Sequence, residues 1–260
     1  MLIHTNDQLK KFYLKCQKDK IVGIDTEFYR VDTYFPILCL VQLSNINNTI
    51  LIDPLKTKID LDLIKKIILS SEIKKIFHAA HQDIEIFFNL FNCLPKKIID
   101  IQICMNLIGY SESAGYALAV KDFLNIEIDK THQFVDWRTR PLSKKKILYA
   151  SNDVKHLIPL YKKVSKELYK FKILNIEKYH KKILDVKRYL REPKDAWQKL
   201  RIKRNSNLKI QIIKEICEKR EIIAKNENIP VRRLLQDSDI KKIARKKLTL
   251  IEAQKIINSI

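Results

Sequence analysis

The sequence predicts an α/β fold in which a mixed β-sheet is flanked by helices, followed by a small all-α helical bundle. In the first half, short apolar runs with β-branched residues are interleaved with segments of helical period, whereas the last third shows amphipathic segments and no convincing strand. With only 3 glycines in 260 residues and long stretches rich in Ile, Leu and Lys, a helix-dominated chain is favoured over an all-β one.

Five short strands are predicted, each apolar and bounded by polar or turn residues. They cover residues 21–24, 37–43, 49–52, 76–78 and 98–100. The first three follow one another without an intervening helix. The pattern therefore predicts a mixed sheet and not a strictly alternating, doubly wound one.

The predicted helices lie between the later strands and cover most of the chain beyond them. Apolar residues recur at helical spacing over residues 59–69, 84–91, 101–107 and 144–168, and the last of these segments is interrupted only by Pro159. The pattern breaks at residues 191–193, and three amphipathic segments follow at residues 208–224, 239–245 and 250–257. We therefore expect one domain at residues 1–170, a helical linker at 171–194 and a helical bundle at 195–260.

The net charge of +21 is concentrated in the C-terminal part of the chain. Residues 161–260 hold 29 Lys and Arg against 12 Asp and Glu, a net +17, which leaves +4 for residues 1–160. Heavy use of Ile, Lys and Asn also suggests a compositional bias, but bias alone would not spare the first 160 residues. The distribution favours nucleic acid as a partner, through contacts to phosphates.

Cysteine usage and hydropathy indicate the compartment. The five cysteines are odd in number and form no C-x-x-C pair, so neither a disulfide framework nor a zinc site is indicated. No continuous apolar segment has the length of a signal-peptide core or a membrane span. We expect a cytoplasmic protein with no membrane contact, monomeric and without an obligate protein partner.

Carboxylates occur at three distant places where local geometry would direct them together. Asp25 and Glu27 are two residues apart at the end of a predicted strand and share a face, while Asp83 opens a predicted helix. Tyr149 and Asp153 are four residues apart in a predicted helix and share a face there. Four carboxylates and a phenol form an oxygen-rich site that suits Mg²⁺ or Mn²⁺ and not Zn²⁺.

Each motif alone has a plainer interpretation. Asp25 and Glu27 could face solvent beyond the strand, Asp83 could be a helix cap or first-turn dipole partner, and Tyr149 with Asp153 could be an exposed helix face. The two histidines near Asp83, at positions 78 and 81, are expected to be structural because the other proposed ligands are oxygens. Trp137 and Phe28 could stack on nucleotide bases or belong to the core.

Taken jointly, the three motifs resemble those of the DEDD exonuclease superfamily in its tyrosine-bearing branch, with ribonuclease D as the closest family. The matching segments run in the same order along the chain: Asp25-Thr26-Glu27-Phe28, His78-Ala79 with Asp83, and Tyr149-Ala150 with Asp153. Further resemblance is carried by Tyr34-Phe35-Pro36, Val41-Gln42-Leu43, Leu51-Ile52-Asp53-Pro54-Leu55, Asp129-Lys130 and Asp136-Trp137 with Arg140-Pro141-Leu142.

The resemblance implies a ribonuclease H-like mixed sheet and a metal-dependent 3′→5′ exoribonuclease that releases nucleoside 5′-monophosphates. It implies two divalent ions, Mg²⁺ or Mn²⁺, held by Asp25, Glu27, Asp83 and Asp153. Tyr149 would complete the catalytic set by orienting the attacking water, since a phenol of ordinary pKa is a poor base at neutral pH. The expected substrate is RNA, namely the 3′ ends of precursor tRNAs.

The C-terminal region resembles the HRDC domain, a helical module shared by RecQ-type helicases and ribonuclease D. The resemblance is carried by Pro193, Asp195-Ala196-Trp197, Arg220, Ala224, Ile229-Pro230, Leu234 with Asp237, and Ile243-Ala244. It implies nucleic-acid contact, and a bundle that only packs or docks a partner is the alternative. For the whole chain, two other functions stay open: a DNA 3′→5′ exonuclease, and a non-catalytic RNA-binding or scaffold protein on a nuclease fold.

Overall fold

A computed structural model describes residues 1–111, 113–129, 135–190, 192–200 and 210–245. The chain divides into two compact units. The first comprises Met1–Tyr29 and Leu38–Val186, and the second comprises Arg30–Ile37 and Lys187–Ile260. Among the described residues, no helix combines the length and the apolar character that crossing a bilayer requires.

The first unit is built on a mixed sheet, as predicted, although it has six strands where five were predicted. Its strands in chain order are β1 (Leu2–Ile3), β2 (Ile21–Tyr29), β3 (Ile37–Ser44), β4 (Thr49–Ile52), β5 (Lys74–Phe77) and β6 (Ile98–Asp100). Their order across the sheet is β1-β4-β3-β2-β5-β6. Strands β3 and β4 pair antiparallel, whereas β2 with β5, β5 with β6 and β1 with β4 pair parallel. Strand β2 is therefore central, with neighbours on both sides.

Strand β2 is longer than predicted, because it continues past residue 24 to Tyr29. Its second half begins with three consecutive polar residues, Asp25 to Glu27, so the continuous apolar run that predicted the strand ends at Ile24. Asp25 and Glu27 consequently lie inside the strand and not at its end. The period of two still directs both side chains to one face, which is the feature that the site requires.

The helices of the first unit flank this sheet. They are α1 (Asn6–Asp19), α2 (Asp62–Leu69), α3 (His81–Phe91), α4 (Ile101–Leu107), α5 (Tyr116–Leu124), α6 (Lys144–Lys155), α7 (Leu157–Lys170) and α8 (Glu177–His180). Residues of α4, α5 and α7 form a hydrophobic core with residues of β5 and β6. The mixed sheet with flanking helices is confirmed.

The prediction of one long helix over residues 144–168 is wrong, because this segment forms two helices, α6 and α7, that are separated at His156. Pro159 does not cause the break. It lies in the first turn of α7, where its missing N–H has no intrahelical partner to lose. The chain therefore turns three residues before Pro159, just after the helix that carries Tyr149 and Asp153.

Gly23 allows this junction of α6 and α7 to approach β2. A Cβ atom at Gly23 would lie 2.4 Å from the Oγ of Ser44 and 3.1 Å from the Cβ of Leu157. The Ser44 hydroxyl also donates a hydrogen bond of 2.7 Å to the carbonyl of Val154. The absence of a side chain two residues before Asp25 thus lets the end of α6, with Asp153, lie against the strand that carries Asp25.

The C-terminal part of the second unit is helical where the structure describes it, whereas its segment Arg30–Ile37 contains no helix. A 3₁₀ segment at Pro193–Leu200 is followed by α9 (Ile210–Asn226), α10 (Val231–Leu234) and α11 (Asp237–Arg245). Ile213, Ile216 and Ile240 are among the residues of its own small hydrophobic core. The predicted helix at residues 250–257 lies outside the described residues.

Candidate active site

Three of the predicted carboxylates come together at the centre of the sheet. Strand β2 supplies Asp25 and Glu27, and α6 supplies Asp153. One carboxylate oxygen from each residue lies within 4.8 Å of the other two. These residues, with Tyr149, line one cavity, whose walls also include Ile24 and Leu157. The structure therefore unites residues that are 126 positions apart in the sequence, counting from Glu27 to Asp153.

Burial and mutual repulsion raise the pKa of each carboxyl group in this cluster. For Asp25 the main cause is burial, followed by the charge of Asp153. For Glu27 the cause is burial, followed by the charges of Asp25, Asp153 and Asp83. The pKa of Asp153 rises to about 7 through burial, partly offset by a hydrogen bond from Tyr149. The cluster therefore needs either protons or a cation to relieve its charge.

Asp83 lies beside this cluster, in the first turn of α3, and is buried. Thr26 donates a hydrogen bond of 2.6 Å from its Oγ1 to one oxygen of Asp83, which ties the carboxylate to β2 between Asp25 and Glu27. Burial, and then the charge of Asp25, raise the pKa of Asp83. Asp83 is not the helix cap, because the N-cap residue is Ala80.

Tyr149 precedes Asp153 by one turn of α6, and its hydroxyl is hydrogen-bonded to that carboxylate. Burial, followed by the charges of Asp153, Glu27 and Asp25, raises the pKa of the Tyr149 phenol well above its ordinary value. Its ring centroid lies 6.0 Å from that of Trp137, which is buried. Trp137 thus packs as a core residue, which was the plainer of its two predicted interpretations.

Sequence reasoning missed Tyr116, which lines the same cavity. Its hydroxyl donates to the carbonyl of Asn152 at 3.0 Å and accepts from the backbone N–H of His156 at 3.3 Å. Burial, and then the charge of Asp153, raise its pKa well above the ordinary value. A tyrosine at the start of a helix carries no sequence signal for this position. Only the packing of α5 against the end of α6 places it there.

His78 also lines the cavity, in the structural role that was expected. Its Nε2 is 2.9 Å from the carbonyl oxygen of Ala114, and its ring packs edge-on against Tyr116 with centroids 5.7 Å apart. Among the residues with a described structure, the group of side chains that could hold a metal ion contains no histidine. The donor atoms are therefore all carboxylate oxygens.

The donor set fits hard divalent cations. Carboxylate oxygens are the ligands that Mg²⁺ and Mn²⁺ prefer, whereas zinc prefers nitrogen and sulfur. Among the residues that the structure describes, no lysine or arginine forms an ion pair with Asp25, Glu27, Asp83 or Asp153. Within those residues, no side-chain cation therefore competes for the place that a metal ion would take.

Comparison with known proteins places the chain in a family. A family model described as 3′-5′ exonuclease matches residues 1–169. The chain is 34% identical over 245 residues to a ribonuclease D of Gluconacetobacter diazotrophicus, covering 94% of this chain and 62% of that protein. It is 36% identical over 244 residues to a ribonuclease D of Bartonella henselae, covering 94% of this chain and 60% of that protein. The chain spans about three-fifths of the length of these curated relatives.

Solved structures share the fold. Escherichia coli RNase D, described as an exoribonuclease involved in structured RNA processing, superposes with a TM-score of 0.87 at 28% identity, covering 98% of this chain and 69% of that chain. The catalytic core of RRP6 from Trypanosoma brucei gives a TM-score of 0.71 at 21% identity, covering 98% of this chain and 72% of that chain. At this identity the similarity is one of fold alone. The mixed sheet with its flanking helices matches the ribonuclease H-like exonuclease fold, and the resemblance to ribonuclease D is confirmed. The chain belongs to the 3′-5′ exonuclease family.

Proposed function

We propose that this chain is a metal-dependent 3′→5′ exoribonuclease that releases nucleoside 5′-monophosphates and acts in 3′-end maturation of precursor tRNAs. The observation that carries the proposal is the convergence of Asp25, Glu27 and Asp153, whose oxygens lie within 4.8 Å of one another. Half-buried carboxylates at that separation repel one another, and a bound cation would relieve the repulsion, since no lysine or arginine among the described residues pairs with them.

In this proposal Asp25, Glu27, Asp83 and Asp153 hold two divalent ions, Mg²⁺ or Mn²⁺. Such ions supply Lewis-acid chemistry, because they neutralise phosphate oxygens and lower the pKa of water. Asp25 is central to the arrangement, since its charge contributes to the raised pKa of both Glu27 and Asp83. Thr26 fixes Asp83 through its hydrogen bond, so the fourth ligand is held by the strand that supplies the first two.

Tyr149 orients the attacking water in this scheme and does not act as the base. Burial and three nearby carboxylates raise its pKa, so the phenol stays protonated at neutral pH. A protonated phenol that is hydrogen-bonded to Asp153 can direct a water molecule without accepting its proton. This role predicts that loss of the hydroxyl slows turnover while leaving the carboxylates able to bind metal.

The proposed substrate is RNA, and the 3′ ends of precursor tRNAs are the proposed physiological class. Support comes from the ribonuclease D relatives and from the Escherichia coli enzyme, which is described as acting in structured RNA processing. The net +17 of residues 161–260 supplies phosphate contacts that are independent of base sequence. Preference for RNA over DNA and the 3′→5′ direction are inferred from the family.

We infer a domain order of exonuclease domain at residues 1–170, helical linker at 171–194 and HRDC domain at 195–260. The HRDC assignment is supported by contacts of residues on which the resemblance to that domain is based. The buried guanidinium of Arg220 donates to the carbonyl of Leu235 at 2.7 Å and to Asp237 at 2.8 Å, which attaches α9 to the turn before α11. In this proposal the protein is a cytoplasmic monomer, and the HRDC domain contributes to RNA binding.

A 3′-extended precursor tRNA tests the proposal most simply. In Mg²⁺ or Mn²⁺ we expect stepwise shortening from the 3′ end with release of nucleoside 5′-monophosphates, and in EDTA we expect no cleavage. Asp25→Asn should abolish hydrolysis while RNA binding persists. Internal fragments instead of mononucleotides would exclude exonuclease action.

The same preparation distinguishes the alternatives. A DNA 3′→5′ exonuclease would degrade a DNA strand of the same sequence faster than the RNA. A non-catalytic RNA-binding protein would bind the RNA and cleave neither strand under any metal condition.

A further inference from the structure

The guanidinium group of Arg140 forms an unusually complete set of hydrogen bonds at a distance from the carboxylate cluster. Its Nε and one terminal nitrogen donate to the two oxygens of Asp53, at 2.7 and 2.8 Å. Its terminal nitrogens also donate to three backbone carbonyls, those of Cys39, Trp137 and Thr139. Arg140 therefore joins its own loop to β3 and to the turn after β4.

This attachment is rigid because both partners are largely removed from water. The exposed fraction is 17% for the Arg140 side chain and 2% for that of Asp53. Asp53 is itself fixed, since one of its oxygens accepts from the backbone N–H groups of Leu55 and Lys56. A bidentate arginine–carboxylate pair has a single favoured geometry, so it sets direction as well as distance.

The loop that Arg140 holds presents Trp137 to Tyr149. The two ring centroids are 6.0 Å apart. Lys146, one turn before Tyr149 on α6, secures the same loop from the other side. Its ammonium donates to the carbonyl of Asp136 at 2.7 Å and lies 5.6 Å from the centroid of the Trp137 ring.

Within the part of the chain that the structure describes, no hydrogen bond holds the side chain of Trp137. Its indole N–H is buried and, within the described residues, has no hydrogen-bond partner. A buried donor without a partner is costly, and the indole would regain a hydrogen bond by turning toward water. Arg140 contacts the carbonyl of Trp137 and Lys146 lies beside its ring, so both contribute to holding Trp137 next to Tyr149.

We propose that Arg140 is a positioning residue for hydrolysis: by fixing Trp137 against Tyr149, it fixes the direction in which the Tyr149 hydroxyl points. The inference rests on the proposed function of Tyr149. Arg140 acts only through the tryptophan and the tyrosine, and binds neither metal nor RNA. Loss of the Arg140 side chain therefore lowers the turnover rate and leaves the affinities for metal and for RNA unchanged.

Two variants test this role of Arg140, one at each partner of the Arg140–Asp53 ion pair. Arg140→Gln removes the forked guanidinium, and Asp53→Asn keeps the shape and the turn-capping oxygen but removes the charge. In each we expect kcat to fall, by up to about 100-fold for Arg140→Gln, because small misplacements of a reacting group slow the step strongly. KM for RNA and the affinity for Mn²⁺ should stay unchanged. Arg140→Lys should recover only part of the rate, because an ammonium cannot form the bidentate pair.

A double-mutant cycle with Tyr149→Phe separates positioning from a merely structural role. If Arg140 acts through the phenol, Arg140→Gln should slow the Tyr149→Phe enzyme by less than about threefold, since the group being positioned is already absent. If the two effects multiply, the inference is overturned. Lys121→Gln, which breaks the exposed ion pair of Lys121 with Glu127, is the matched control and should leave kcat at the wild-type value.

Fluorescence gives a readout that does not depend on activity. Trp137 and Trp197 are the two tryptophans of the chain, so Trp197→Phe leaves Trp137 as the single reporter. In that background Arg140→Gln should shift the Trp137 emission to longer wavelength while the circular dichroism spectrum is retained. An unshifted emission overturns the inference. If the wild-type chain hydrolyses no RNA, the proposed function fails, and the emission shift alone decides whether Arg140 holds Trp137.

Discussion

Asp25→Asn should make the metal-free protein more stable while removing its activity. Asp25, Glu27 and Asp153 have oxygens within 4.8 Å of one another, and Asp25 is isosteric with asparagine. At an effective dielectric constant of about 20, two charges at this separation repel by roughly 3 kcal/mol. Proton uptake and relaxation relieve part of this energy, so we expect the free energy of unfolding to rise by about 1–3 kcal/mol at pH 8 in EDTA.

The gain should depend on pH, with a sign fixed by the raised pKa values. A carboxyl whose pKa is higher in the folded state than in the unfolded state destabilises the fold once it is ionised. As pH falls from 8 through the pKa of Asp153, about 7, the wild-type cluster takes up protons and its stability rises. The advantage of Asp25→Asn should therefore shrink between pH 8 and pH 5.5.

Urea denaturation of both proteins in EDTA at pH 8 and pH 5.5 measures the stability gain and its dependence on pH. The same experiment at pH 8 with Mg²⁺ measures the effect of metal binding. Mg²⁺ at about 1,000 times Kd should reverse the order, since binding to the wild type alone stabilises it by about 4.1 kcal/mol, more than the expected gain of the variant. Asp32→Asn, at an exposed carboxylate, is the matched control and should change nothing. A metal-free Asp25→Asn protein that is less stable than wild type at pH 8 would refute the charge-repulsion argument.

Three other variants test the role of Tyr149, the packing at Gly23 and the basic surface of the second unit. Tyr149→Phe should lower kcat by about 10- to 100-fold with Mn²⁺ affinity intact, measured by single-turnover cleavage and calorimetry; equal loss of both would contradict an orienting role. Gly23→Ala should lower the free energy of unfolding by about 1–3 kcal/mol, because its Cβ would meet Ser44 Oγ at 2.4 Å. Adding Ser44→Ala should recover part of that loss in urea denaturation, and strictly additive losses would contradict the contact. Replacing exposed Arg232 and Arg233 with glutamine should reduce the slope of log K against log salt for RNA binding by about 1–2, and an unchanged slope would exclude both as phosphate contacts.

The sheet and most of its elements could be predicted because their sequence signals are local. Strands β3, β4 and β6 consist mainly of apolar residues, and the structure has them within one residue of the prediction. Helix α1 was missed although Thr5 and Gln8 form a capping box, because its apolar residues are few among polar ones. Strand β1, of two residues, is too short to give any periodic signal.

The candidate site shows a different limit. Spacing predicted that Asp25 with Glu27, and Tyr149 with Asp153, would each share a face, and the fold brings both pairs together. No local rule predicts that Gly23 provides the space for α6, that Thr26 holds Asp83, or that Tyr116 lines the cavity. These features depend on contacts between residues more than 30 positions apart, such as Gly23 with Leu157, Thr26 with Asp83 and Tyr116 with Asn152, and no local sequence pattern specifies such contacts.

The most direct test of the central claim is the anomalous difference density of crystals of this protein soaked in Mn²⁺. We predict manganese peaks bounded by carboxylate oxygens of Asp25, Glu27 and Asp153, with Asp83 beside them, and no such peaks in Asp25→Asn crystals. Manganese bound elsewhere, with the cluster left without metal, would contradict the claim that these carboxylates form a cation site.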